Sequence, residues 1–463
     1  MSKSKQYSRR RFLRNMAMAS GGAGLLASHG KLGLMQSALA ATGNYSNISD
    51  YKSLVCVYLL GGNDGFNMFV PNTTTEYDQY AQIRGNLSIN QEDLLTTTSG
   101  DYGFHPSMPN IRNLYNSGRL GVLANVGTLI QPTTPESIEN ESAILPKDLF
   151  SHSHQTETWQ TTRTPLAGIT QDGWGGRMAD LLEEANSNPL VSPTFSVAGH
   201  NNWQAGRFTE QFALNKYNGA EPFLFLGNES WPPWESSRTE TWHEMLNDTH
   251  PNFLVREAGA SFSQARDQIG AVRAGLEQAT LLTTHFNPQN DFAQQMKIVA
   301  NMISVREQMG LKRQLFFVAI GGWDSHGNQL NEHSNNLAKL DDGLNSFNAA
   351  MDELNTADSV VSFTMSEFGR TLTVNGDGTD HAWGSHALMM GGPVAGGQVH
   401  GTMPQFVLGG PDDIGSDGRI IPTTSLDQYA ATLSQWMGIE ASDISELYPN
   451  LGNFNTSSLD FLV

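Results

Sequence analysis

The stretch Gly378 to His386 reads Gly-Thr-Asp-His-Ala-Trp-Gly-Ser-His. Its adjacent Asp380-His381 pair, in a glycine-bordered loop, puts a hard oxygen ligand and an imidazole within reach of one ion. Zinc, manganese and iron accept that mixture, whereas calcium prefers oxygens alone. Such a pair also occurs in ordinary turns, so the weight lies in its company. Asp64 sits in Gly-Gly-Asn-Asp-Gly after one apolar run, and Asp324 with His326 in Gly-Gly-Trp-Asp-Ser-His-Gly after another. Glu367 and Arg370 lie in Ser-Glu-Phe-Gly-Arg after a third. Four carboxylates gathered together repel one another unless a cation lies between them. The set therefore predicts one or two divalent ions held by Asp64, Asp324, His326, Glu367, Asp380 and His381. Zinc or manganese is favoured and calcium is possible. Each acid has a plainer use as well: Asp64 before Gly65 can brace a turn, and Asp380 can serve its polar loop.

Two close ions would clamp the entering and leaving oxygens of a phosphate or sulfate ester during hydrolysis. A nucleophile is then needed, and Ser151 with His152 beside it is the best placed. A serine at a helix N-terminus gains from the positive end of the helix dipole. Serine is equally a favoured N-cap, so the two roles stay open. His154 could supply a ligand instead. Arg370 either faces an anionic substrate or pairs with Glu367. If two ions are bridged, the carboxylates of Asp64, Asp324 and Asp380 should lie within roughly 8 Å of one another.

Positioning these groups falls to buried strands. Leu54 to Leu60, Leu120 to Val126, Leu315 to Ile320 and Val360 to Thr364 are continuous apolar runs, as strands covered on both faces require. Leu388 to Gly392 reads as a further short strand. Helical spacing appears from Pro109 to Gly118, from near Ser151 to Thr162, and from Gly173 to Asn186. It recurs from Asp291 to Met309, Asn331 to Leu354 and Leu426 to Met437. Residues 128 to 147, with their prolines, read as a loop. Strands alternating with helices predict an α/β fold with a mostly parallel sheet, and ligands of such sheets collect beyond the carboxyl ends of the strands. The region from about His200 to Asn287 is the least regular. It holds Trp203, Trp231, Trp234 and Trp242, and reads as an insertion or cap whose aromatics either form a substrate rim or pack as a subdomain.

The chain has 463 residues, 38% of them hydrophobic, enough for a sizeable core. Residues 1 to 40 form a separate segment. Ser8-Arg9-Arg10-Arg11-Phe12-Leu13-Arg14, a mildly apolar stretch and Ala38-Leu39-Ala40 have the form of a twin-arginine export signal with its cleavage box. Export machinery of that type, a periplasmic or secreted destination and no stable membrane anchor after cleavage are the expectations. The segment carries seven Lys/Arg and no Asp/Glu, so its removal takes the formal charge from −19 to −26. A surface this acidic repels nucleic acid and anionic lipid. The single cysteine, Cys56, lies in an apolar run and permits no intrachain disulfide.

Taken in order, the boxes resemble the exported family catalogued as domain of unknown function 1501. The resemblance rests on Leu59 to Pro71, Phe104 to Pro109, the Ser151-His152 segment, Gly173 to Arg177, Gly321 to Gln329, Ser366 to Arg370 and Gly378 to His386. It runs over almost the whole chain beyond residue 40. That family is grouped with the alkaline phosphatase and sulfatase superfamily. The resemblance implies a three-layer α/β/α core and a metal-dependent hydrolase ancestry, but no substrate. In phosphatases and sulfatases the late strand delivers its Asp-His pair almost directly. Here the strand is followed by Ser366-Glu367, and Asp380-His381 comes about a dozen residues later. The expectation is an exported metal-dependent hydrolase of phosphate or sulfate esters, taking an anionic small molecule or glycan. The alternative is a non-catalytic glycan- or partner-binding protein on a degenerate hydrolase fold. A redox protein has only the export route in its favour, with no dinucleotide fingerprint or haem box.

Overall fold

A computed structural model of the chain describes residues 43–165, 171–221, 240–241, 244 and 252–463. Its twelve described strands are β1 (Lys52–Leu60), β2 (Phe69–Pro71), β3 (Leu95–Thr96), β4 (Tyr102–Phe104), β5 (Leu120–Gly127), β6 (Thr194–Ser196), β7 (Phe212–Ala213), β8 (Arg313–Gly321), β9 (Val360–Met365), β10 (Ser385–Met390), β11 (Val399–His400) and β12 (Thr424–Ser425). The central sheet runs β11-β5-β10-β9-β1-β8-β6-β7, with β12 added beside β5. Every pairing in it is parallel except those of β10, which runs against both β5 and β9. β2, β4 and β3 make a small antiparallel sheet.

The helices named among the described residues are α1 (Gly65–Met68), α2 (Thr74–Arg84), α3 (Pro109–Asn116), α4 (Pro135–Glu139), α5 (His152–Thr161), α6 (Trp174–Leu182), α7 (Phe253–Leu276), α8 (Asp291–Ser304), α9 (Gln329–Glu353), α10 (Leu426–Trp436) and α11 (Ala441–Leu447). β1 shows how the layers arise. Side chains alternate across a strand, so Val55, Val57 and Leu59 enter one core and Leu54, Cys56 and Tyr58 the other. The first core is closed by Ile111 of α3, Met296 and Val299 of α8 and Leu337, Leu340 and Leu344 of α9. The second is closed by Met178 of α6, Tyr429 and Leu433 of α10 and Ile444 of α11. Helices on both faces of one mostly parallel sheet make a three-layer α/β/α fold, as expected.

The elements differ from the sequence reading at a few points. α8 ends at Ser304, five residues short of Met309. The stretch 128 to 147 contains α4, started by Pro135 and a capping box between Thr134 and Ser137. β10 begins at Ser385, so the end of the Gly378–His386 box is itself strand. Trp203 is no rim residue: it is fully buried against Trp174, Phe317 and Phe363. Trp231, Trp234 and Trp242 lie outside the described residues, as does the whole arginine-rich segment 1–40. Within the region read as irregular, β7 joins the central sheet and α7 runs for 24 residues. Among the described residues, no helix is long and apolar enough to cross a membrane.

Candidate metal centre

The site grows from three adjacent parallel strands that stop together. Leu60 at the end of β1 is level with Gly321 at the end of β8, and Tyr58 of β1 with Met365 at the end of β9. The loops carrying Asp64, Asp324 with His326, and Glu367 therefore leave the same edge. They crowd one another. Gly61 has a φ of 126°, and a side chain there would collide with the Asp324 backbone. Gly378 lies against the His326 backbone, so closely that a Cβ would overlap it. That contact brings Asp380 and His381 onto the Asp324 loop, and a bridge between Arg370 and His381 ties down the same turn.

Three imidazoles converge on Asp324. Nδ1 of His381 donates to the Phe150 carbonyl at 2.8 Å, which turns its Nε2 to Asp324 Oδ1 at 3.2 Å. Nδ1 of His326 faces Asp380 Oδ1 at 3.5 Å, and its Nε2 lies 3.0 Å from Asp324 Oδ1. Nδ1 of His152 donates to Glu367 Oε1 at 3.0 Å, and its Nε2 lies 3.4 Å from Asp324 Oδ2. The hydrogen bonds at Nδ1 of His152 and His381 fix which nitrogen carries the proton, the usual support of a metal-ligating histidine, while His326 has Asp380 at charge-pairing distance. His152, Asp324 and His381 offer donor atoms within 4.8 Å of one another. His326 makes a tighter set, since its Nε2 is also 3.0 Å from that of His381. On a tetrahedral zinc ion with bonds of about 2.0–2.1 Å, two donors stand about 3.3 Å apart. The donor types and spacings here suit such an ion.

The electrostatics agree. Burial pushes the Asp324 carboxyl up, but the hydrogen bond and charge of Arg370, with the neighbouring imidazoles, outweigh it and hold the carboxyl down at about 2. Burial keeps His381 below the ordinary imidazole value despite its Phe150 hydrogen bond, so the ring favours its neutral, ligating form. His152 is raised, chiefly by the Glu367 hydrogen bond acting against burial. Glu367 Oε2 is buried with no hydrogen-bond partner among the described residues, an orphaned acceptor beside the site.

The other expected ligands are placed differently. Glu367 stands behind His152 and also accepts the Gly61 amide at 2.7 Å. Asp380 stands behind His326 and accepts from Asn375 at 3.1 Å. Asp64 is at the right edge but is fully buried, with Oδ1 2.6 Å from Arg84 Nη2 and Oδ2 accepting Gln329 Nε2 at 2.6 Å. Arg370 meets neither solvent nor Glu367. It is buried and donates to Asp324 Oδ1 at 2.6 Å and to the carbonyls of Gly61, Gly62, Trp323 and Thr379. It is a clamp on the site loops rather than a reader of substrate. Ser151 is the N-cap residue of α5, yet its hydroxyl caps no amide; it meets Ser153 Oγ at 3.2 Å. His154 pairs with Asp148 at 3.0 Å, away from the cluster.

Sequence reasoning missed Arg84, the Phe150 carbonyl, Gln329 and Thr379. Gln329 and Thr379 left a trace, the one closing the Gly321 to Gln329 box and the other lying inside the Gly378 to His386 box. His386 ends the Gly378–His386 box but is a core residue, packed edge-on against Phe66, with burial taking its imidazole down to about 3.

A family model described as Protein of unknown function (DUF1501) matches residues 51–413. No curated protein matches the chain. Among solved structures, the PsFucS1 sulfatase from Pseudoalteromonas sp. is similar at 10% identity over 85% of this chain and 69% of that one, with a TM-score of 0.36. A protein in the alkaline phosphatase superfamily from Vibrio parahaemolyticus shows 11% identity over 86% and 69%, with a TM-score of 0.35. Alkaline phosphatase from the Antarctic bacterium TAB5 shows 9% identity over 76% and 95%, with a TM-score of 0.30. With scores this low the likeness carries no argument, and the fold stands on the sheet and its two helical faces.

Proposed function

The chain belongs to the DUF1501 family, a family of unknown function, so its activity must be argued from its own site, and we propose an exported metal-dependent hydrolase of phosphate or sulfate esters. The observation that carries the reading is the convergence of three imidazoles, each backed at Nδ1 by an oxygen, on the two oxygens of Asp324. Asp324, His326 and His381 would hold one divalent ion, zinc or manganese by donor type. Such an ion supplies Lewis acidity toward an ester oxygen and positive charge toward an anionic substrate.

The chain's own residues do the rest. Arg370 and Asp380 fix the Asp324 and His326 positions, and Phe150 fixes that of His381. His152 lies at the opposite oxygen of Asp324 and is partly exposed. Glu367 holds its Nδ1 proton, leaving Nε2 to hold and release a proton at the leaving oxygen. Ser151, or water, is the attacking group in this reading. The arginine-rich start of the chain supports export through the twin-arginine route.

The test is direct. Protein purified without chelator should carry a stoichiometric transition metal and turn over chromogenic phosphate or sulfate esters, and Asp324→Asn should abolish both. A metal-free protein sinks the reading. Bound metal with no turnover on any ester favours the second reading, a metal-dependent glycan- or partner-binding protein. One observation speaks for it: the Ser151 hydroxyl contacts Ser153 and not the imidazoles.

A further inference from the structure

We infer that this centre holds one ion rather than two, because Arg84 already stands as a fixed cation on the acid a second ion would need. The inference rests on the metal reading above and specifies its stoichiometry. Among the four acids that the sequence brings to this edge, Asp64 is the one with no imidazole partner. Its Oδ1 takes Arg84 Nη2 at 2.6 Å and the Asn67 amide at 3.2 Å. Its Oδ2 takes Gln329 Nε2 at 2.6 Å. Neither side chain of the Asp64–Arg84 pair has any exposure to solvent.

Gln329 cannot be turned round to free that oxygen. Its Oε1 accepts Thr379 Oγ1 at 2.7 Å, which fixes the amide nitrogen towards Asp64. Arg84 cannot readily leave either. It is the last residue of α2, where the negative end of the helix dipole favours a cation, and its guanidinium is enclosed. Its Nε and Nη1 have no hydrogen-bond partner among the described residues, so Asp64 is the guanidinium's one anchor there. An ion taking Asp64 would strand a buried guanidinium beside a dication, the uncompensated arrangement that buried pairs exist to avoid.

Asp64 has a different use. It caps α1 through the Asn67 amide, holds Gln329 at the first residue of α9, and through Gln329 reaches Thr379 in the Asp380-His381 loop. One buried ion pair thus ties together the loop after β1, the start of α9 and the loop that delivers His381. Asp64 and Arg84 are positioning residues.

The experiment is a metal count. Apo protein is loaded with excess zinc, freed of unbound metal, and assayed by elemental analysis beside Asp324→Asn and the double variant Asp64→Asn/Arg84→Met, which removes both buried charges together. One equivalent in the wild type, held more weakly by the double variant because the His381 loop loses its tie, and none in Asp324→Asn, is the expected result. Two equivalents in the wild type overturns the inference, and undiminished zinc affinity in a folded double variant overturns the positioning role of the pair. If the double variant does not fold, the wild-type count decides: one equivalent supports the inference and two overturns it. No bound zinc in the wild type overturns the metal reading itself, an outcome distinct from the other two.

Discussion

The Nε2 atoms of His326 and His381 stand 3.0 Å apart, each also within 3.2 Å of Asp324 Oδ1. With His381 held at Nδ1 by Phe150 and His326 facing Asp380, two imidazole Nε2 atoms and a carboxylate oxygen face one small volume. Lone pairs this close repel unless a proton or a cation lies between them. The proposed ligand set has consequences for substitution. His326→Ala, His381→Ala and Asp324→Asn should each lose the metal, measured by elemental analysis. His152→Ala should keep it and lower turnover by about 10²–10⁴-fold, the usual contribution of a general acid. Loss of metal in His152→Ala would instead make it a ligand.

Ser151→Ala separates attack by serine from attack by water. If the serine attacks, turnover should fall by several orders of magnitude with metal content unchanged. Stability should hardly move in either case, by less than about 1 kcal/mol, because the hydroxyl makes no capping bond to lose. Urea melts and a single-turnover assay check both halves.

Gly378→Ala should couple stability to metal affinity. The added methyl would overlap the His326 backbone, so the Asp380-His381 loop must retreat from Asp324. A loss of about 1–3 kcal/mol in unfolding free energy is expected, with weaker zinc binding by titration calorimetry. Gly270 offers the contrast. It lies in α7 with nothing near the position of a Cβ, and Gly270→Ala should stabilise the protein by up to about 1 kcal/mol without touching metal affinity.

Asp427 predicts a pH dependence away from the site. Burial, against hydrogen bonds from Asn450 and the charge of Arg177, raises its carboxyl to about 7. An unfolded aspartate releases its proton near pH 4, so between about pH 4 and pH 7 the folded form binds more protons. Stability contributed by this group should therefore fall as pH rises through that window, on the order of 2–4 kcal/mol in all. Asp427→Asn should flatten that slope in urea unfolding at pH 5 and pH 7.5. An unchanged slope would assign the dependence elsewhere.

The strands were legible because β1, β8 and β9 are buried on both faces and must be apolar throughout. Asp324, His326, Asp380 and His381 were legible because each follows such a run or a glycine-bordered turn. Asp64 shared that signature and yet has another use, since its partner Arg84 lies in an unremarked polar helix. Pairing of that kind leaves no periodic trace. The Phe150 carbonyl was invisible for a stronger reason: any residue type supplies one. α7 escaped because Gly259, Gly270 and Gly275 interrupt its helical pattern, and its mostly solvent-facing surface lacks a continuous apolar stripe.

β10 runs against its neighbours, and this changes what kind of object the loop before it is. A parallel strand would have to be entered from the far side of the sheet, by way of a crossover. β10 is entered from the edge at which β9 ends. The chain from Ser366 to Gly384, with Glu367, Arg370, Asp380 and His381, therefore departs and returns on one side, both ends pinned in the same sheet. Its length and sequence can be exchanged without re-threading any strand. Within this architecture the stretch is a removable cassette, and it carries Asp380 and His381 while Asp324 and His326 stay with the frame.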